Sequence, residues 1–254
     1  MKELGEKIVS YWGNRAEGYS EYNREELAGD KWQDWITEIK KQLPKKEKSE
    51  IRILDIGTGP GFFAILLAQE GYQVTAIDCT AEMLAEAQAN AGALAAQITW
   101  KLMDAQKLEF ADESFDLVLS RNLTWVLEEP ETAYAEWYRV LRPKGIMLNF
   151  DANWYAYLFD EDAHAAWDRD RRSSAERGVW DQNVEAEGER FDVMEEIARR
   201  VPLSKIVRPV WDLQQLASLG LKAGADETVW KRVWSEEETI SFASTPMFLV
   251  RGRK

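Results

Sequence analysis

Little in this chain supports redox, disulfide or metal chemistry: its 254 residues include one cysteine, Cys79, and one histidine, His164. A lone cysteine excludes an internal disulfide. One cysteine and one histidine also fall short of the usual zinc and iron ligand sets, so no metal site is expected. Basic charge is in deficit as well. Its 32 lysines and arginines face 45 acids, a net charge of −13, and a field of that sign repels a phosphate backbone. The nearest basic run, Lys40, Lys41, Lys45, Lys46 and Lys48, surrounds Pro44 and reads as a solvated linker. No nucleic-acid partner is expected. No apolar run approaches the ~20 residues of a membrane span, so no integral membrane contact is expected either. The opening MKELGEKIVSYWGNRAEGY lacks an apolar stretch of signal-peptide length, which makes the cytoplasm the expected location. What remains is an ordinary globular composition, 45% hydrophobic and 30% charged, with an unusual 12 tryptophans.

From Ile51 onward, short apolar runs alternate with helical stretches: IRILDIG, GFFAILLAQEGY, QVTAID, AEMLAEAQANAG, QITWKLMD. Strand, helix, strand, helix, strand is the order of right-handed crossovers in a parallel sheet. FDLVLS follows as a fourth strand, ETAYAEWYRVLRPKG as a helix closed by Pro143 and Gly145, and IMLNFD as a fifth strand. The strands read as apolar on both faces, as strands covered by helices on both sides must be. After Asp151 the pattern breaks for about sixty residues, too long for a connection, and reads as a mostly helical insertion. Order resumes with LQQLASLG as a helix, then VWKRVW and PMFLVRGRK as two strands forming an antiparallel hairpin at one sheet edge. The expected fold is therefore α/β, a doubly wound, mostly parallel seven-stranded sheet with an antiparallel C-terminal hairpin. Residues 1–48 form an N-terminal helical cap, 49–151 and 211–254 the core, and 152–210 the insertion.

The sharpest motif is Asp55-Ile56-Gly57-Thr58-Gly59-Pro60-Gly61, at the junction of the first strand and first helix. Glycines at the carboxyl edge of such a sheet let the backbone approach a nucleotide-like ligand. A dinucleotide fingerprint would place glycine or alanine at position 62, where Phe62 stands, so the spacing argues against a bound pyrophosphate. Asp78 ends the second strand, where a carboxylate can accept both hydroxyl protons of a ribose. Asp104 ends the third, placed to accept from an exocyclic amine. Each acid alone would also serve as a helix cap. Together with the glycine loop they suit a ligand of net positive charge without phosphates.

These runs, with MDAQKLEFADESFDLVLSRN and AYAEWYRVLRPKGIMLNFD, resemble the Rossmann-like (class I) S-adenosylmethionine-dependent methyltransferases across roughly residues 50 to 151 and again at the C-terminal hairpin. The small-molecule branch related to the ubiquinone and menaquinone C-methyltransferases is the nearest, although Glu109 stands where many relatives carry proline. The resemblance implies that Asp55, Gly57, Gly59 and Gly61 hold the methionine part of the cofactor. It implies that Asp78, Cys79 and Met83 hold the ribose side, Asp104 and Ala105 the adenine, and the Arg121 backbone the methionine moiety. YWGNRAEGYSEY resembles the helix that folds over the cofactor in many such enzymes, placing Tyr11, Arg15 and Tyr19 near its carboxylate.

Methyl transfer from a sulfonium needs alignment and water exclusion, and a general base only where the nucleophile is protonated at neutral pH. Asp151, at the fifth strand end, and His164, within the insertion, are the candidates for such a base, each with a bland alternative as a structural acid or a surface histidine. Trp12, Trp125, Trp154, Trp167, Trp180 and Tyr155 cluster near the cap, the fourth strand end or the insertion. They read as packing or as walls around an acceptor. Asn122, Trp125, Asp151, Trp154 and Tyr155 are the expected acceptor site. An acidic protein with aromatic walls favours a small, neutral or cationic, partly apolar acceptor. The alternatives are a non-catalytic module that binds S-adenosylmethionine and an NAD-dependent oxidoreductase. Oligomeric state and the methylated atom are open.

Overall fold

The computed structural model describes residues 2–179 and 189–254. Seven strands make one sheet: β1 (Arg52–Ile56), β2 (Gln73–Asp78), β3 (Ile98–Leu102), β4 (Phe115–Arg121), β5 (Leu141–Asp151), β6 (Lys222–Asp226) and β7 (Phe248–Arg253). Their spatial order is β3-β2-β1-β4-β5-β7-β6. β1 to β5 pair in parallel, whereas β7 runs antiparallel to both β5 and β6. The order reverses between β1 and β4, and the glycine loop leaves β1 at that switch point.

Helices α1 (Lys2–Ala28), α2 (Trp32–Lys40), α3 (Phe62–Gln69), α4 (Ala81–Ala91), α5 (Pro130–Val140), α6 (Glu161–Arg177), α7 (Glu189–Arg200), α8 (Val210–Ser218), α9 (Trp230–Val233) and α10 (Glu236–Ser241) accompany the sheet. α3 reads FFAILLAQ and is apolar all round, because it is wedged between the sheet and α2. Trp35 of α2 packs edge-on against Phe62, Phe63 and Phe150, with ring centroids 6.1, 5.4 and 5.2 Å away. Such fully buried aromatics contribute about 1.5–3 kcal/mol each. The opposite face carries Tyr134 and Trp137 of α5, stacked at 5.3 Å. A third, smaller cluster joins Leu4 and Ile8 of α1 to Trp125, Met194 and Ile197, and so fastens the cap to α7.

Three element expectations need correction. The α5 helix ends at Val140, and Leu141-Arg142-Pro143-Lys144-Gly145 already belongs to β5, whose pairing with β4 shifts register there. VWKRVW is helical; the sixth strand is the less apolar KAGAD just before it, stabilised by pairing with β7. β3 is an edge strand and half exposed, which leaves Leu102 61% exposed at its carboxyl end. Trp180 lies outside the described residues.

Candidate active site

Gly57, Gly59 and Gly61 all adopt positive φ, +64°, +52° and +97°. They do different work. A Cβ at Gly57 would stand 2.8 Å from Leu123, and one at Gly61 would meet Ala87 at 3.1 Å, so Gly61 lets α3 and α4 pack. Around Gly59 nothing lies within 4 Å of that position, which leaves room for a ligand against bare backbone.

A cavity of about 490 Å³ opens over this loop. Gly57, Gly59, Asp78, Cys79, Met83, Asp104 and Ala105 line it, as do Tyr19 and Arg121. Asp78 is buried and accepts from the Gly59 amide at 3.0 Å and the Thr80 amide at 2.9 Å. Burial pushes its carboxyl above the usual range, against the pull of those donors. Asp104 accepts from the Gln106 amide at 2.8 Å at the cavity rim.

Asp55 does not line this cavity. It is buried beneath the loop, where Thr58 Oγ donates to it at 2.7 Å, and burial pushes its carboxyl up to about 7. It braces the turn from below. The cap also supplies wall residues: Trp12, which the sequence offered as a wall of the acceptor site, and Gly5, Ile8 and Val9, which motif reading missed. Their i, i+3, i+4, i+7 spacing is the signal that could have found them.

The expected acceptor residues surround a second chamber of about 180 Å³. Asn122, Trp125, Trp154 and Tyr155 line it, together with Tyr11 and Arg15 of α1, which the resemblance had assigned to the cofactor. Trp12, Tyr19, Arg121 and Asn122 are common to the walls of both spaces. Asn122 stands at φ +55°, immediately after β4, and its buried Oδ1 has no hydrogen-bond partner among the described residues. Arg121 pairs bidentately with Glu26 at 2.9 and 2.6 Å and lies over the Phe62 ring at 4.4 Å. Burial opposes its charge, but the Glu26 carboxylate holds its pKa above the ordinary value. Sequence reasoning also missed Tyr22, Met194, Trp234, Glu238 and Phe242, which reach this chamber from four separate elements or loops. Side chains between Trp234 and Met247 thus wall the chamber although chain order placed them with the core.

Neither candidate base lines either space. Asp151 is fully buried: its Oδ2 accepts from Arg208 Nη1 at 2.8 Å, Thr124 Oγ and the Trp125 amide, and its Oδ1 accepts from Trp154 Nε1 at 2.9 Å. Its lone pairs are committed to orienting two chamber walls, so it is a positioning acid. His164 sits on the outer side of α6 with 56% of its side chain exposed and Nδ1 3.2 Å from the Tyr157 carbonyl oxygen.

The sequence profile of the methyltransferase domain family matches residues 54–149. A phosphatidylethanolamine N-methyltransferase of Cereibacter sphaeroides is 38% identical over 96 residues, 37% of this chain and 47% of that protein. A malonyl-[acyl-carrier protein] O-methyltransferase of Erwinia billingiae is 32% identical over 142 residues, 56% of this chain and 51% of its own. The chain spans about half the length of the curated relatives it matches. Among solved structures, phosphoethanolamine N-methyltransferase 2 of Haemonchus contortus, in complex with S-adenosyl-L-methionine, shares the fold with a TM-score of 0.56 and 19% identity, over 83% of this chain and 50% of that one. The matched residues, 54–149, are those that build the glycine loop, the acid-tipped strands and the floor of the larger cavity, and over them this chain is similar to the methyltransferase domain family.

Proposed function

We propose that this protein transfers a methyl group from S-adenosylmethionine to a small-molecule acceptor by in-line displacement. The observation that carries the reading is the shared wall: one cavity built for a nucleoside cofactor and one aromatic chamber meet at Trp12, Tyr19, Arg121 and Asn122. A module that only binds the cofactor has no use for the second space. The residues of the larger cavity fit that cofactor. Asp78, Asp104, Glu109 and Glu128 line it, while its cations are Lys107 and the already paired Arg121. That balance suits a sulfonium and a ribose and disfavours the diphosphate of NAD.

Asp78 would accept from the ribose hydroxyls, and the backbone at Gly59 would lie against the methionine portion. Bound there, the cofactor supplies an activated methyl group. The chain's own residues then align and dry the path: Trp125 and Trp154, both held by Asp151, and Tyr155 exclude water from the chamber. Burial raises the phenols of Tyr19 and Tyr155, so neither is a ready base at neutral pH. The acceptor must bring its own lone pair. α1 covers both spaces, and Trp154, Tyr155, Trp167 and Met194 close the chamber.

The test is titration calorimetry with S-adenosylmethionine and its demethylated product, followed by transfer of label from methyl-labelled cofactor to a panel of amines, phenols and quinols. Micromolar binding and transfer to at least one class are expected. Asp78→Ala should weaken cofactor binding at least tenfold, through loss of charge-assisted hydrogen bonds worth about 1.5–3 kcal/mol each. Tight NAD binding without binding of S-adenosylmethionine would refute the reading.

A further inference from the structure

Among the described residues, Arg15 Nε, Asn122 Oδ1 and Ser244 Oγ on the chamber wall are buried polar atoms without a hydrogen-bond partner. Arg15 also has no ion pair among the described residues. The other charges on this wall are accounted for. Arg121 is neutralised by Glu26, and Arg171 donates to the Ser241 carbonyl and lies over the Trp167 ring at 5.1 Å. Asp170 accepts from the Ser244 amide at 2.7 Å, and Glu238 accepts from the Ser235 amide at 2.7 Å and from the Tyr22 hydroxyl at 3.0 Å. Glu237 is exposed at the rim.

An unsatisfied guanidinium donor against aromatic walls is costly, and an acceptor that enters the chamber removes that cost. We infer that the methyl acceptor carries a carboxylate or similar oxyanion, which Arg15 Nε holds while Asn122 faces the end of the molecule nearest the cofactor. This rests on the methyltransferase reading. It departs from the neutral or cationic acceptor that overall charge suggests, because the local guanidinium lies within contact distance and the net −13 is spread over the whole surface. It also departs from the role that resemblance gives Arg15, since Arg15 lines the aromatic chamber and not the space over the glycine loop. A volume of about 180 Å³ restricts the occupant to one ring or its equivalent, since a cavity of roughly 150 Å³ takes benzene.

The experiment uses benzoate as the probe, with benzylamine and benzyl alcohol as controls of matching size, and follows quenching of tryptophan fluorescence in the full-length protein. Titrations run with and without saturating S-adenosylhomocysteine. Benzoate is expected to bind at least tenfold tighter than either control. Arg15→Gln and Arg15→Lys are expected to lose about tenfold or more of benzoate affinity, the scale of one charge-assisted hydrogen bond, while S-adenosylhomocysteine affinity changes less than twofold. Thermal melting confirms that the variants fold. A preference for benzylamine overturns the inference. So does a variant that loses S-adenosylhomocysteine affinity and retains benzoate, which would place the cofactor's own carboxylate on Arg15. Should the unmodified protein fail to bind S-adenosylhomocysteine, the methyltransferase reading fails separately, and benzoate binding to the cofactor-free protein still decides the anion site.

Discussion

Asp55 and Asp78 share a residue type and a place at a strand end, yet one braces the glycine loop and the other lines the cavity above it. Thr58 and the turn beneath the glycine loop enclose Asp55, while Asp78 lines the cavity above the loop and accepts from the Gly59 amide. Asp55 offers a test in pH. In the unfolded chain its carboxyl releases its proton near the ordinary 3.8, and in the fold near about 7. Between those values the folded state binds the additional proton, so stability falls as pH rises through that window and the loss is complete above it. Calorimetric melting of Asp55→Asn should show a shallower decline between about pH 5 and pH 8 than the parent protein. Equal slopes would show that Asp55 is not the titrating group.

At the scale of elements, the carboxyl ends of β4 and β5 are tied to the segment before α8 by one buried polar network. Arg208 donates to Asp151 at 2.8 Å and to Asp212 at 2.9 Å, Tyr134 donates to Asp212, and Asn149 donates to Thr124 at 2.9 Å. Both acids and the arginine are almost fully buried. Removing the cation leaves two carboxylates in low dielectric with no counter-charge. Arg208→Ala should therefore cost about 3–5 kcal/mol, read from urea unfolding. Loss of cofactor turnover should accompany it, since Trp125 and Trp154 take their positions from Asp151. A variant of near-parental stability would show that water replaces the guanidinium.

At the scale of the molecule, α1 closes the larger cavity with Ile8 and Trp12 and the aromatic chamber with Tyr11 and Arg15. A helix that seals both spaces has to yield when ligands enter and tighten once they are seated. Hydrogen exchange should thus slow across residues 2–28 when S-adenosylhomocysteine saturates the protein, with little change in β1, β2 and β4, which are already buried. Unchanged exchange in α1 would mean that the cap is a fixed wall.

Sequence alone determined the parallel core and its glycine loop, because those features are local: apolar runs of strand length, glycines where φ is positive, an acid at each strand end. It also placed Asn122, Trp125, Trp154 and Tyr155 near one another through chain order, since consecutive parallel strands deliver their carboxyl ends to one edge. Only the tertiary structure decided what each side chain meets there. Asp151 looked like a base until Arg208, 57 positions away, was found holding it. KAGAD carries no strong strand pattern and becomes a strand only because β7 offers it hydrogen bonds, while VWKRVW, free of any partner strand, coils. Arg15 and Asp55 sit within motifs that name the cofactor, yet packing turns one into the neighbouring chamber and the other beneath the loop. Neighbours distant in the chain decide the direction of a side chain, and no local pattern encodes them.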